Sequence, residues 1–420
     1  MEQYLSTLET TIPAIRKKFS ELTNQIATLH QQVEQLTHQN KALTDQLAAR
    51  KPVQEAKNPL PKDSAYQGPF VITKGGTYAG NWQSTDSNVP AVEVKTKEPV
   101  IIENANIRGA GYLIKCWYYD CDLTIRNTRG YGLTPTAYTG HLKPRRFAII
   151  NFFKNVVIEN CYLEGTAGIY LGDKYVGNGT PEQSIKIRYN QAKNIDGRVH
   201  NGKDRVQFVQ TNFKGAIAHA EIAWNEVLNE PGKSAVEDNI NIYNTRGTKA
   251  SPIRIHHNYI QGAFPIPVES KNYSGGGIIM DSPDASEQEV TAFVSVEENQ
   301  LVGMGNYCIG VATGNNIGIR GNRCVVSGEY EGGGRYPHWT SGIWAKEYYR
   351  KGSTHSVVVE DNVVGVKQSS GKRWDYENIG NVATFRNNQS LPDVTRADEA
   401  KEWQLWQQRL QDNNIKLGVS

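Results

Sequence analysis

Several acidic, basic and polar residues have the types and spacing that acid–base chemistry on a sugar polymer would need. Eliminative cleavage next to a uronic acid requires a base at C5 and a cation that neutralises the carboxylate, supplied by a basic side chain or by Ca²⁺. The residues flank or lie on successive strands of a predicted strand family, so we expect them on neighbouring turns of one groove. The candidate catalytic residues are Lys203, Asp204, Arg205, Glu237, Asp238, Tyr243 and Asp281, with Asn241 as a candidate substrate ligand.

A structural interpretation of the same residues is also open. Glu237 and Asp238 could cap or pair with loop residues such as Arg246, and Lys203–Arg205 could be a solvated turn. The two interpretations differ in whether the carboxylates share a cleft or point into separate loops.

Two more groups of side chains suit an acidic glycan. The basic run from His141 to Arg146 would attract acidic groups, and Arg145 and Arg146 are its candidate substrate ligands. Aromatic rings stack on the C–H faces of sugars, so Trp339 and Trp344 are candidate stacking residues. Solvated loops and packing under loops are the alternatives.

The candidate residues belong to a chain built from a recurring segment, of which IRIHHNYI at Ile253–Ile260 is one copy. Apolar residues alternate with polar ones, which predicts a strand, and an Asn follows and marks a turn. Repetition at a near-fixed interval predicts a stacked solenoid. Other copies end at Ile107, Leu163, Ala192, Val227, Leu301, Cys324 and Val364.

One apolar position can be aligned in all copies of the repeat. The interval from Ile102 to Ile125 is 23 residues, the length of one solenoid turn of three short strands, and longer intervals add loops. A second apolar strand family, from Phe147–Ile150 through Val206–Val209 to Gly342–Ala345, carries most of these loops, which indicates the working face. The aligned residues are Ile102, Ile125, Ile158, Ile187, Ile222, Ile255, Val296, Ile319, Val359 and Phe385.

The residues that follow the aligned positions alternate in charge. Stacked about 4.8 Å apart, opposite charges attract, so we interpret them as a structural ladder. The ladder is interrupted at Ala223 and His256, and no spaced carboxylate partner is evident for His256 or His257, which favours structural roles for both. The ladder residues are Glu103, Arg126, Glu159, Arg188, Ala223, His256, Glu297, Arg320, Glu360 and Arg386.

The two ends of the chain are predicted to be helical. Apolar residues over 5–47 recur every 3.5 residues on average, which predicts a coiled coil that self-associates as a dimer or trimer. We expect its helix to begin or kink near Pro13. Thr395 and Asp398 resemble a capping box before a C-terminal amphipathic helix that covers the end or flank of the solenoid. The predicted segments are a coiled coil over 1–50, a Pro-rich linker over 51–69, the solenoid over 70–390 and the C-terminal helix and tail over 391–420.

Composition narrows the range of partners. The net charge of +3 over 420 residues argues against nucleic acid, and no run of about 18 apolar residues predicts a transmembrane span. No secretory signal pattern is present, although an extracellular, cell-surface or virion location suits the chain better than the cytoplasm. The five cysteines show no metal-binding spacing, and we predict buried free thiols.

With these repeats, residues 70–390 resemble the right-handed parallel β-helix superfamily, which includes pectate lyases and phage tailspikes. Glu237–Ile260 and Ser274–Met280 resemble bacterial right-handed parallel β-helix repeat proteins without an established activity. The resemblance implies the fold, and the polygalacturonase motifs are absent.

Two functions are therefore expected. The first is a polysaccharide lyase or hydrolase that acts on an acidic glycan, with Ca²⁺ as a candidate cofactor. The second is a non-catalytic glycan-binding or structural fibre, comparable to an adhesin or tailspike shaft.

Overall fold

The computed structural model describes residues 2–48, 62, 65–133, 142–283 and 285–419. Contacts divide the chain into two units, Met1–Asn58 and Pro59–Ser420. In its described residues, the first is the helix α1 (Glu2–Ala48), which continues through Pro13. The alternative that the helix begins near Pro13 is therefore wrong. No helix in the described part of the chain is long and apolar enough to cross a membrane.

One face of α1 exposes large apolar side chains. Eight described residues of the two predicted coiled-coil seams are 45–70% exposed. An apolar stripe of this length, left open to solvent, is the surface that a second helix would cover. Self-association of this helix stays a prediction. The eight residues are Ile12, Ile15, Phe19, Leu22, Ile26, Leu29, Val33 and Leu36.

In the second unit, parallel strands stack into three faces around an apolar core, as the repeats predict. The first, here the repeat face, contains the aligned repeat positions. Two long strands, Ile114–Arg126 and Ala148–Glu159, turn the corner and contribute to two faces. The repeat face contains the second halves of these two strands and Gly76–Tyr78, Val100–Glu103, Ile185–Arg188, Glu221–Ala223, Ile253–His256, Ala292–Glu297, Asn315–Arg320, His355–Glu360 and Ala383–Arg386, with Gly215–Ala216 and Thr245–Arg246 joined at its edge.

The cleft face carries the second strand family, and the flank face is a separate 11-stranded sheet. The cleft face contains the first halves of the two long strands and Phe70–Ile72, Val92–Val94, Ile169–Tyr175, Val209–Asn212, Ile240–Tyr243, Gly276–Asp281, Asn306–Val311, Thr340–Lys346 and Tyr376–Ile379. The flank face contains Asn81–Ser84, Asn106–Gly109, Arg129–Gly132, Tyr162–Glu164, Gln191–Lys193, Glu226–Leu228, Tyr259–Ala263, Gln300–Met304, Arg323–Val326, Val363–Val366 and Gln389–Ser390.

The register predicted from the repeats is confirmed at every step. Each aligned residue, from Ile102 to Phe385, pairs directly with the next one in the list. One strand of the second family was placed wrongly. The predicted segment Val206–Val209 is the approach to a strand that begins at Val209 and ends at Asn212. All five cysteines are buried and free, as predicted.

A buried row of Asn side chains holds the corner between the repeat face and the flank face. Each side-chain amide donates to the Oδ1 of the Asn one turn further on, over 2.9–3.0 Å. The residue before each Asn has a left-handed backbone with φ of 53–63°. The Asn of the repeat is therefore both the turn residue and a tie between turns. The row is Asn190, Asn225, Asn258, Asn299, Asn322, Asn362 and Asn388.

Replacing Asn258 by Ala should lower the free energy of unfolding by at least about 3 kcal/mol. The substitution removes the acceptor of the Asn225 backbone N–H and side chain, and it leaves the Ile222 carbonyl without its donor. Denaturant unfolding measures the change. Asn272→Ala, at an exposed position, is the matched control and should change the free energy by less than about 0.5 kcal/mol. Equal effects would contradict the role of the row.

The charge ladder is formed in part, by ion pairs of Glu103 with Arg126, Glu159 with Arg188, and Glu360 with both Arg320 and Arg386. Its interruption is filled from a neighbouring position. Arg188 pairs with both Glu159 and Glu221, and Glu221 Oε1 accepts a hydrogen bond from His256 Nε2 at 2.8 Å. Glu221 lies two residues before Ala223, on the same face of the strand. The expectation that His256 lacks a carboxylate partner is therefore wrong, since alignment of one position cannot show a partner two residues away. Its structural role stands.

Glu221 should make the stability of the protein depend on pH in the acid range. The hydrogen bond from His256 and the charge of Arg188 lower its pKa to about 2, against burial. Because the folded pKa lies below the usual 4.5, the stabilisation is present above about pH 4.5 and is lost as the pH falls towards 2. Between pH 5 and pH 3, the fall in the free energy of unfolding should be smaller by roughly 2 kcal/mol in Glu221→Gln than in the wild-type protein. Denaturant unfolding at the two pH values measures the difference. An unchanged slope would contradict the assignment.

The C-terminal helix α2 (Arg396–Asp412) lies on the flank face rather than over the end of the solenoid. Asp398 accepts hydrogen bonds from the Thr395 backbone and hydroxyl, which confirms the capping box. Trp406 is fully buried and donates to Glu226, and Glu402 pairs with Arg323. The predicted apolar stripe thus covers strands from the middle of the array.

Candidate functional site

A cleft of about 470 Å³ opens on the cleft face. Six of the seven candidate catalytic residues line it. The seventh, Lys203, is exposed just outside the cleft, in a short hairpin of Arg198–Val199 with Gly202–Lys203. The interpretation that places the carboxylates in separate loops is wrong. The lining residues are Pro144, Arg146, Tyr170, Asp204, Arg205, Gln207, Gln210, Asn212, Glu237, Asp238, Asn241, Tyr243 and Asp281.

Strand alternation positions the floor of the cleft. Ile240 and Ile242 point into the apolar core, so Asn241 and Tyr243 between and beyond them face outward. Parallel pairing places Asn241 beside Gln210 on one side, and places Tyr243 beside Asp281 on the other. Polar residues that are far apart in sequence therefore lie on consecutive turns about 4.8 Å apart.

Asp238 is the most deeply buried carboxyl group of the cleft, with 4% of the residue exposed. Its Oδ1 accepts hydrogen bonds from the Tyr307 hydroxyl and from the Gly276 backbone N–H at 2.9 Å. Its Oδ2 accepts one long bond, 3.3 Å, from the Asn241 amide. Burial, together with the negative charges of Glu237 and Asp281, raises the pKa of Asp238 to about 7.

Glu237 and Asp281 are the other acids close to Asp238. Glu237 lies 3.5 Å from Arg205 Nε and accepts a hydrogen bond from Gln207 at 3.1 Å. Burial raises the pKa of Glu237, and Arg205 opposes the shift. Burial also raises the pKa of Asp281, whose Oδ1 accepts the Ser282 backbone N–H.

The expected structural partner of Glu237 and Asp238 is engaged elsewhere. Arg246 donates to the backbone carbonyls of Glu287 and Gln288. Glu237 is held by Gln207, and Asp238 is held by Tyr307, Gly276 and Asn241, instead of by that loop.

The two candidate arginines of the basic run occupy different places. Arg145 is fully buried and pairs with Asp196 at 3.0 Å, so its guanidinium cannot reach a glycan and the substrate-binding prediction for it is wrong. Arg146 lines the cleft, but it is buried and donates to the Ala167 carbonyl, the Arg205 carbonyl and Gln207. Burial lowers its pKa to about 10. It positions the backbone around Arg205.

The two candidate stacking tryptophans also differ from each other. Trp344 is 8% exposed and packs in T-shaped contacts with Tyr307 and Tyr348, so its ring is a packing residue instead of an open platform. Trp339 is 44% exposed and lies edge-on to Trp374. Neither lines the cleft.

Sequence reasoning missed five residues that shape the site: Tyr307, Tyr170, Gln207, Gln210 and Asn212. Tyr170, Gln210 and Asn212 occupy outward positions that alternate with core residues, and correct bounds for the strand Val209–Asn212 would have identified Gln210 and Asn212. Tyr307 carries no local signal, because it reaches Asp238 from two turns further on.

A ligand set for the candidate cofactor Ca²⁺ is not evident. Among the residues that the structure describes, no group of three or more His, Cys, Asp or Glu side chains is arranged to hold a metal ion.

No family model matches the chain, and no curated protein matches it. A solved structure, a mannuronic acid-specific polysaccharide family 6 lyase from human gut microbiota, is 12% identical, covers 85% of this chain and 92% of its own, and has a TM-score of 0.36.

Proposed function

We propose that the second unit is a polysaccharide-cleaving enzyme and that the cleft around Asp238 is its active site. The observation that carries this proposal is a buried carboxyl group with a pKa of about 7 that shares one cleft with two further acids. Acids and bases with separated pKa values, brought together in a cleft, are what glycosidic bond cleavage uses.

Hydrolysis is the reaction that this arrangement supports best. Protonated Asp238 donates its proton to the glycosidic oxygen as the bond from that oxygen to the anomeric carbon breaks. An ionised carboxylate, Asp281 or Glu237, takes a proton from the water whose oxygen bonds to the anomeric carbon. Tyr243, Asn241 and Asp204 line the same cleft and are positioned to bind hydroxyl groups.

Elimination is the second candidate reaction, and Arg205 is the observation that favours it. Its guanidinium is 85% exposed beside Glu237, where it could neutralise a uronate while a carboxylate removes the C5 proton. The two reactions give different products. Elimination leaves an unsaturated sugar that absorbs ultraviolet light, and hydrolysis does not.

The acidic nature of the glycan is also a proposal. Arg205 and Lys203 are exposed next to the cleft, and both charges act on Glu237. We propose that acidic groups of the polymer contact this basic rim. The sequence predicted that Arg145 and Arg146 would bind the acidic groups. Because both are buried, we assign this role to Arg205 and Lys203 at the rim.

A panel of acidic and neutral polysaccharides, incubated with the full-length protein with and without Ca²⁺, tests the proposal. New reducing ends report either reaction, and ultraviolet absorbance separates the two. Turnover that is lost in Asp281→Ala would exclude the non-catalytic fibre, the alternative that the exposed seam of α1 favours. Turnover of no polymer in the panel would favour the fibre.

A further inference from the structure

The lining of the cleft contains more acidic than basic side chains. Four carboxyl groups line the cleft, from Asp204, Glu237, Asp238 and Asp281, and among the residues that the structure describes its cationic lining residues are Arg146 and Arg205. A ligand that carries its own negative charge would meet this excess directly. The excess of acidic side chains therefore limits which sugars can bind over Glu237, Asp238 and Asp281.

Arg146 offers no free donors at the acids, and Arg205 offers them only at the rim, beside Glu237. Arg146 is buried and directs its guanidinium to two backbone carbonyls and to Gln207. Arg205 is exposed at the rim, and its nearest acid is Glu237, at 3.5 Å. Moving a sugar carboxylate from water into the deeper part of the cleft would cost free energy. Neither arginine is placed to offset this cost with an ion pair.

The floor of the cleft contains buried acceptors without a donor. In the described structure the Oδ1 atoms of Asn241 and Asn212 are buried and have no hydrogen-bond partner. Asn241 is itself 4% exposed, and its amide nitrogen is already directed to Asp238. A ligand hydroxyl or N–H that reached either oxygen would supply the missing donor, whereas a ligand carboxylate could not.

We infer that the sugar residue bound over Glu237, Asp238 and Asp281 is uncharged or amino-substituted and carries no carboxylate. The inference rests on the proposed function in its hydrolytic form and narrows its substrate class, and it is incompatible with elimination at these acids. Any acidic group of the polymer lies at the rim beside Arg205 and Lys203, on another sugar of the chain. Homopolymers of uronic acid are therefore poor ligands, whereas neutral glycans and glycans that carry acid on only some of their sugars fit.

Carboxyl reduction provides a matched pair of probes. Alginate and polygalacturonate are compared with the same polymers after each uronate carboxyl has been reduced to a hydroxymethyl group, beside a set of neutral glycans. Binding to the full-length protein is measured at pH 8 by affinity electrophoresis and, with oligomers of six sugars, by calorimetry. We expect each reduced form to bind at least tenfold more tightly than its acidic parent.

A charge variant keeps the test specific to the cleft. Glu237→Gln removes one negative charge at the acids and should narrow the preference for the reduced form at least threefold. Glu182→Gln removes the same charge outside the cleft and should leave the ratio unchanged. Uronate polymers that bind as tightly as their reduced forms would overturn the inference and leave the proposed function standing. If no glycan binds at all, both fail.

Discussion

Replacing Asp238 by Asn should lower kcat/KM on the cognate polysaccharide by about 10²–10⁴-fold, the contribution typical of a general acid. The amide keeps the shape of the side chain but cannot donate a proton of suitable acidity to the leaving oxygen. Initial rates on the polymer identified by the panel measure the loss. In the wild-type protein, activity should fall about tenfold per pH unit above pH 7, because the pKa of Asp238 is about 7.

Stability gives a second readout that does not depend on turnover. The folded pKa of Asp238 lies above its usual 3.8, so the folded state holds the proton more tightly than the unfolded state does. The free energy of unfolding should therefore rise, by roughly 2–4 kcal/mol, as the pH falls from about 8 to about 4. Asp238→Asn should lose this part of the rise. A variant that keeps both its activity and the wild-type pH profile would contradict the assignment of Asp238.

Charging the seam of α1 should convert an oligomer into a monomer. Leu22 and Leu29 are 51% and 58% exposed, and in a coiled coil both would be buried at one seam. The double variant Leu22→Asp, Leu29→Asp would bury two charges per chain, and the mass measured by sedimentation should fall to that of one chain, 46.8 kDa.

The same helix offers a matched control. Asn24→Asp with Gln31→Asp adds the same charge, seven residues apart, on the face opposite the seam. This control should keep the two- or threefold mass of the unmodified protein. A wild-type protein that already sediments as a monomer would contradict the coiled coil.

The sequence was sufficient to predict the register of the solenoid, because each turn repeats the same pattern of apolar residues and Asn. Ile102 and Ile125 need the same apolar pocket one turn apart, and the Asn corner fixes where each turn ends. The bounds of the strand at Val209–Asn212 could not be predicted in this way. Val206 and Phe208 are buried before the strand begins, so apolar periodicity continues into a loop.

The cleft was predicted in part for a different reason. Glu237, Asp238, Asn241 and Asp281 flank or occupy strands that were correctly identified, and parallel stacking then places them together. The prediction for Arg145 failed because its burial beside Asp196 depends on how two loops pack against each other. The apolar pattern of one strand carries no information about that packing. Tyr307 lies two turns from its partner, and its contact depends on the side-chain packing of three adjacent turns.

The return of the C-terminal segment to the middle of the array has a mechanical consequence. After the last strand, at Gln389–Ser390, the chain doubles back so that Glu402 pairs with Arg323, Trp406 bonds Glu226, and the Lys416 carbonyl accepts from Asn160. Tension applied at the C-terminus would thus load these central turns in shear before it reached the final turn. Such a solenoid resists being unzipped from its C-terminal end, because that end is fastened to its own centre.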